Sequence, residues 1–214
     1  MKLWLVVSNL NNLLPYLSRP INLIIIFSIV YVFSLPPFGV SVFYYLSFSI
    51  IFYNILTNDN FSKKYIFYFF LFTQIITLSW ITQSFYSGGF GYLFLGIILV
   101  GVLSLFIAFL HYSATILILV TFKKKLLQIF LLPLGLSIVE ILKEFIFGGF
   151  PWNPSAIIYY KNIWILKSLP FFGVYGLGLV VHLIVGLIIY FLYYKNKVVI
   201  FSLSSVLVLI YAFG

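Results

Sequence analysis

The 214 residues contain no cysteine. That excludes disulfides, thiolate metal sites and a cysteine nucleophile anywhere within them. Charge is nearly as scarce: 7% of residues are Asp, Glu, Lys or Arg, against about 25% in a soluble domain. Only three are acidic: Asp59, Glu140 and Glu144. There is no long polar stretch, and so no room for a sizeable soluble domain. What remains is apolar, with 64% hydrophobic residues and a mean hydropathy of +1.21. This is the composition of an all-α, polytopic membrane helical bundle, in which each span satisfies its own backbone. The net charge of +9 does not indicate nucleic-acid binding, because the basic residues fall in short clusters between apolar runs.

Met1-Lys-Leu-Trp-Leu-Val-Val7 resembles the start of a signal peptide. Polar residues and Pro15 interrupt it, however, and no small-residue cleavage site follows. Residues 1–20 read as a cytoplasmic or interfacial lead-in, and 21–214 as the transmembrane domain. A span needs roughly 20 apolar residues. Seven runs qualify: 21–35, 40–56, 65–86, 92–122, 126–147, 168–194 and 198–213. The first is short and ends at Leu35-Pro-Pro-Phe-Gly39. The fourth is long enough to tilt. Residues 148–167 read as a linker rich in aromatics and proline. On one side of the membrane lie Lys2, Arg19, Lys63, Lys64, Lys123, Lys124, Lys125, Lys195 and Lys197, and on the other only Lys161 and Lys167. Nine against two places the N-terminus in the cytoplasm. No internal repeat supports a transporter built from inverted halves.

Charge inside a span is costly and is usually kept for a reason. Glu140, Lys143 and Glu144 stand three and four residues apart, on one helical face. They are either snorkelling residues at a helix end or the lining of a cavity that a charged headgroup enters. Gly148-Gly149-Phe150-Pro151-Trp152 ends that helix, since glycine suits the C-cap and proline blocks continuation. By composition alone its aromatics form an interfacial belt. Trp80, near the end of the third run, also reads as an interfacial anchor. His111 and His182 sit in separate apolar runs and read as packed, hydrogen-bonded histidines. No Ser/His/Asp triad, metal site or cofactor is expected.

The order of five pieces carries a resemblance. They are Leu35-Pro-Pro-Phe-Gly39; Ser79-Trp80-Ile81 before a glycine-rich loop; Glu140-Ile-Leu-Lys143; Gly149-Phe-Pro-Trp152; and Leu169-Pro-Phe-Phe-Gly-Val-Tyr-Gly176. Together they resemble the membrane half of apolipoprotein N-acyltransferase, the bacterial enzyme that completes lipoprotein maturation. Two departures stand out: Lys143 occupies a position where the family usually has Arg, and Ala156-Ile-Ile-Tyr159 replaces the Gly-Tyr-Ser/Thr-Gln often found there.

The resemblance implies an inner-membrane protein whose partners are membrane phospholipid and diacylglyceryl lipoprotein. Glu140, Lys143, Gly149, Phe150, Pro151, Trp152 and Trp80 would line a lipid cavity and its mouth. In the family, an extramembrane nitrilase-like domain carries the Glu, Lys and Cys that form and resolve an acyl-thioester. Residues 1–214 hold no such set. The expectation is a truncated or split form, inactive alone, whose nitrilase-like domain is encoded separately. The alternatives are a non-catalytic remnant serving as scaffold or lipid-binding protein, and, less compellingly, a small transporter. The richness in Phe, Ile, Tyr and Lys suits an AT-rich genome and would fit gene decay.

Overall fold

A computed structural model describes residues 19–86, 88–149 and 153–196, and among these it is helical with no strand. The helices are α1 (Pro20–Val32), α2 (Val42–Thr57), α3 (Lys63–Leu78), α4 (Thr82–Tyr86), α5 (Phe90–Thr121), α6 (Lys125–Ile146), α7 (Ile163–Leu166) and α8 (Leu169–Tyr194). Six of the seven apolar runs correspond to α1, α2, α3 with α4, α5, α6 and α8. The run 198–213, the lead-in up to residue 18, and Phe150, Pro151 and Trp152 lie outside the described residues. Four segments are long and apolar enough to cross a membrane: Lys63–Tyr86, α5, α6 and α8. Helices α1 and α2 are shorter, at 13 and 16 residues. The chain is thus a helical membrane bundle.

The six larger helices close into a ring. Around it, α1 packs on α2, α2 on α8, α8 on α6, α6 on α5, α5 on α3, and α3 back on α1. The interior is aromatic near α1–α3, with Tyr31, Tyr44, Phe48, Phe52 and Phe69 buried, and aliphatic between α6 and α8, with Ile129, Leu132, Leu177 and Val181. The lysine clusters lie at one end, where Lys125 Nζ donates to the Leu56 carbonyl at the close of α2, 2.8 Å away. A cation there satisfies an otherwise orphaned acceptor.

At the opposite, lysine-poor end, the segment 148–167 is more than a linker. It contains a 3₁₀ turn (Ser155–Tyr159) and α7, and it buries Ser155, Ala156, Ile158, Tyr159 and Ile165 against the bundle. The Tyr45 and Tyr159 hydroxyls are hydrogen-bonded across it. The turn at Leu35–Gly39 is held from the same segment. Tyr160 Oη and Lys161 Nζ both donate to the Pro37 carbonyl, at 2.6 and 2.8 Å, and Lys161 also donates to the Phe38 carbonyl at 2.8 Å. Gly39 has φ +67°, and a Cβ there would stand 2.5 Å from the Tyr160 ring, so glycine is required on both counts.

Candidate functional site

A small cavity lies inside the ring, and every ring helix contributes to its wall. Tyr31 comes from α1, Tyr44 and Phe48 from α2, Thr73 and Gln74 from α3, His111 from α5, Glu140 and Lys143 from α6, and His182 from α8. Asn153, in the stretch after α6, closes it. Its volume is about 20 Å³, room for roughly one water molecule. Glu140 and Lys143 are 7% and 4% exposed and lie one turn apart, in direct electrostatic reach of each other. They face the ring interior. Buried ions in such a setting require compensating partners.

Glu140 has those partners. Its Oε1 accepts from the Ser155 backbone N–H at 2.8 Å, and its Oε2 from the Ser155 hydroxyl at 3.2 Å. The carboxylate therefore clasps the first residue of the 3₁₀ turn and returns the chain beyond Trp152 to the bundle. Gly178 on α8 makes room for the clasp. A Cβ there would stand 2.8 Å from Ser155 Oγ and 3.1 Å from Glu140 Oε2.

His182 sits beside this clasp and is fully buried. Its Nε2 is 2.8 Å from the Tyr44 hydroxyl and its Nδ1 2.6 Å from Ser137 Oγ. Glu140 Oε1 lies 3.9 Å from Nε2. His111 donates from Nδ1 to the Ile107 carbonyl, 2.8 Å away. With Nδ1 as the donor, the neutral ring has Nε2 as its acceptor.

The sequence offers no base within reach of a serine, yet the fold brings Ser137 against His182. Ser137 is nevertheless buried and does not line the cavity, so no substrate carbonyl has a place beside it. Among the described residues no three His, Asp or Glu side chains group as a metal site.

Trp80 lies in a 3₁₀ turn (Ser79–Ile81) between α3 and α4 and is 56% exposed. It lines a second pocket of about 340 Å³ with Leu35, Pro36, Thr77, Ile157 and Asn153. Asn153 is common to this pocket and the polar cavity, and its Nδ2 is buried without a hydrogen-bond partner. Its φ of +44° places it in the left-handed region, which asparagine tolerates better than most side chains. Gly148 and Gly149, at φ +66° and +92°, turn the chain away from α6. The fold thus places Glu140 and Lys143 on one cavity and Trp80 on a second, with Asn153 lining both. Gly149 sits at the turn out of α6, and Phe150–Trp152 lie outside the described residues.

Sequence reasoning missed Tyr44, Ser137, Ser155, Asn153 and the shared role of His182. Tyrosine and serine are common in this chain and carry no spacing signal. Gly178, within Gly176-Leu-Gly178, is the one local hint that something packs closely on α8.

No curated protein matches the chain. Residues 27–187, well over half the chain and including every residue that lines the polar cavity, match the family model described as apolipoprotein N-acyltransferase N-terminal domain. The chain belongs to that family, as a membrane domain related to an acyltransferase.

Proposed function

We propose that this domain handles the lipid in apolipoprotein N-acyl transfer, in the inner membrane of a bacterium, with its lysine-rich end in the cytoplasm. One observation carries the reading: a buried charged cavity, walled by all six ring helices, adjoins an apolar pocket beneath Trp80 at the lysine-poor end. The apolar pocket suits a fatty-acyl chain, and the polar cavity suits the headgroup region. Glu140 and Lys143 supply a paired acid and base, and Glu140 also holds Ser155 at the start of the 3₁₀ turn. Gly149, Phe150, Pro151 and Trp152 lie in sequence between Lys143 and Asn153, which line the polar cavity, and are proposed as further lipid-contacting residues. A phospholipid donor and a diacylglyceryl lipoprotein acceptor are the substrates that the family supports.

The chemistry belongs to a nitrilase-like domain bearing Glu, Lys and Cys, on this or a separate polypeptide. An acyl-enzyme needs a nucleophile that holds the acyl group and releases it. Residues 1–214 contain no thiol, and Ser137 has no room beside it. The absence of cysteine also favours a second reading, a lipid-binding scaffold without transfer activity.

The test incubates the purified 214-residue chain with labelled phosphatidylethanolamine and a diacylated lipoprotein peptide. A photoreactive acyl chain should crosslink beside Trp80, with no label transferred to peptide or protein. Adding a nitrilase-like domain should restore N-acylation under the first reading and leave it absent under the second. Failure to crosslink, or acylation by the chain alone, overturns the proposal.

A further inference from the structure

We infer a second lipid site: a pocket at the lysine-poor end that holds the phosphodiester of an anionic phospholipid as a resident lipid. The pocket, about 400 Å³, lies between the start of α2 and the 3₁₀–α7 segment and is lined in part by Ser41, Lys161, Asn162, Ile163 and Trp164. It shares no lining residue with the polar cavity or the Trp80 pocket.

Three features select the ligand. The first is charge. Among the described residues, Lys161 and Lys167 are the cations outside the spans at this end, both are exposed, and neither pairs with a carboxylate. Lys161 Nζ spends two of its donors on the Pro37 and Phe38 carbonyls, which fixes the ammonium at the pocket wall with one donor left. The second is shape and polarity. Ser41 and Asn162 line the same pocket as Lys161, and it is large enough for a phosphate group. The third is the apolar apron around it. Ile163 (62%) and Trp164 (56%) line the pocket and are exposed, and Lys167 Nζ lies 4.4 Å from the centre of the Trp164 ring. Aromatic and apolar side chains beside paired lysines sit at headgroup depth, with the acyl chains lying along the apolar apron. A free anion would use the lysines but not the apron. A zwitterionic lipid would use the apron but bring its own ammonium up against Lys161 and Lys167.

The test uses the full chain in a neutral detergent and titrates phosphatidylglycerol, phosphatidylcholine or inorganic phosphate. Binding is read by thermal shift and by lipid retained in native mass spectrometry. Phosphatidylglycerol should bind saturably, and the other two should not at equal concentration. Each of Lys161→Gln and Lys167→Gln should weaken the apparent Kd about fivefold. Lys123→Gln with Lys124→Gln, at the other end, should leave it unchanged. Lys161 also holds the Leu35–Gly39 turn, so Lys161→Gln tests folding as well. Lys167→Gln touches only a ring face and decides the matter alone. Equal binding of phosphatidylcholine, an equal shift with phosphate, or an undiminished affinity in Lys167→Gln would overturn the site.

Discussion

Replacing Gly178 by alanine ought to stabilise an ordinary helix by about 1 kcal/mol, because glycine is the poorer helix former. Here the opposite is expected. The new Cβ would stand 2.8 Å from Ser155 Oγ and 3.1 Å from Glu140 Oε2. Two relaxations are open. The Ser155 hydroxyl can rotate away, which gives up a hydrogen bond to a carboxylate, a loss of about 1.5–3 kcal/mol. Alternatively the helices can part slightly, at an overpacking cost of about 1–3 kcal/mol. Across most of these ranges the cost outweighs the propensity gain, and a net loss of about 1 kcal/mol, at most about 2, follows. The cause can be isolated with a double-mutant cycle. In a Ser155→Ala background the clashing oxygen is gone, so Gly178→Ala should become neutral or mildly stabilising. Unfolding of all four proteins in mixed micelles, followed by tryptophan fluorescence, supplies the numbers. A wild-type background in which Gly178→Ala is as stable as glycine would refute the reasoning. So would an equal effect of the substitution in both backgrounds.

Glu140→Leu should lower stability by about 3–5 kcal/mol, since it takes the neighbouring carboxylate from buried Lys143 and strands the Ser155 N–H in the interior, whereas Asp59→Leu, in the turn before α3, should change it little; detergent melting curves compare them directly. Gly39→Ala should also destabilise, because it must adopt φ +67° and displace the Tyr160 ring, and limited proteolysis at the Leu35–Gly39 turn should rise with it. For topology, cysteine at Ile163 should react with an impermeant maleimide applied from outside the cell and cysteine at Asn60 should not; the reverse pattern would invert the assigned orientation.

Element positions were readable from apolar run lengths and lysine clusters, because both follow from bilayer thickness and insertion, which act locally along the chain. The inward orientation of Glu140 and Lys143 was half legible. Their spacing places them on one face, but only the closure of α6 against α5 and α8 decides that this face is interior. The clasp on Ser155 was not legible. It joins residues 15 apart across a reversal whose path is set by the positive-φ positions Gly148, Gly149 and Asn153. The same reversal hid the packing of 155–165, because a stretch rich in aromatics and proline reads as a belt until its partners are known. His182 illustrates the limit in another way. A packed, hydrogen-bonded histidine is what the sequence suggests, but its two partners, Tyr44 and Ser137, lie on two other helices.

Helix α5 runs for 32 residues, about 48 Å at 1.5 Å per residue. The hydrocarbon slab is about 30 Å thick. Even at a tilt of about 40°, the upper end of the usual range, such a helix would span roughly 37 Å along the membrane normal. The surplus falls on an apolar rod whose first residues, Phe90 and Tyr92, are 82% and 59% exposed. Surrounding lipids must therefore stretch to meet it, or its tip must find other apolar cover. The helix acts as a gauge of bilayer thickness. A thicker membrane deforms less around it than a thin one, so the acyl-chain length of the host membrane becomes a variable in how the whole ring sits.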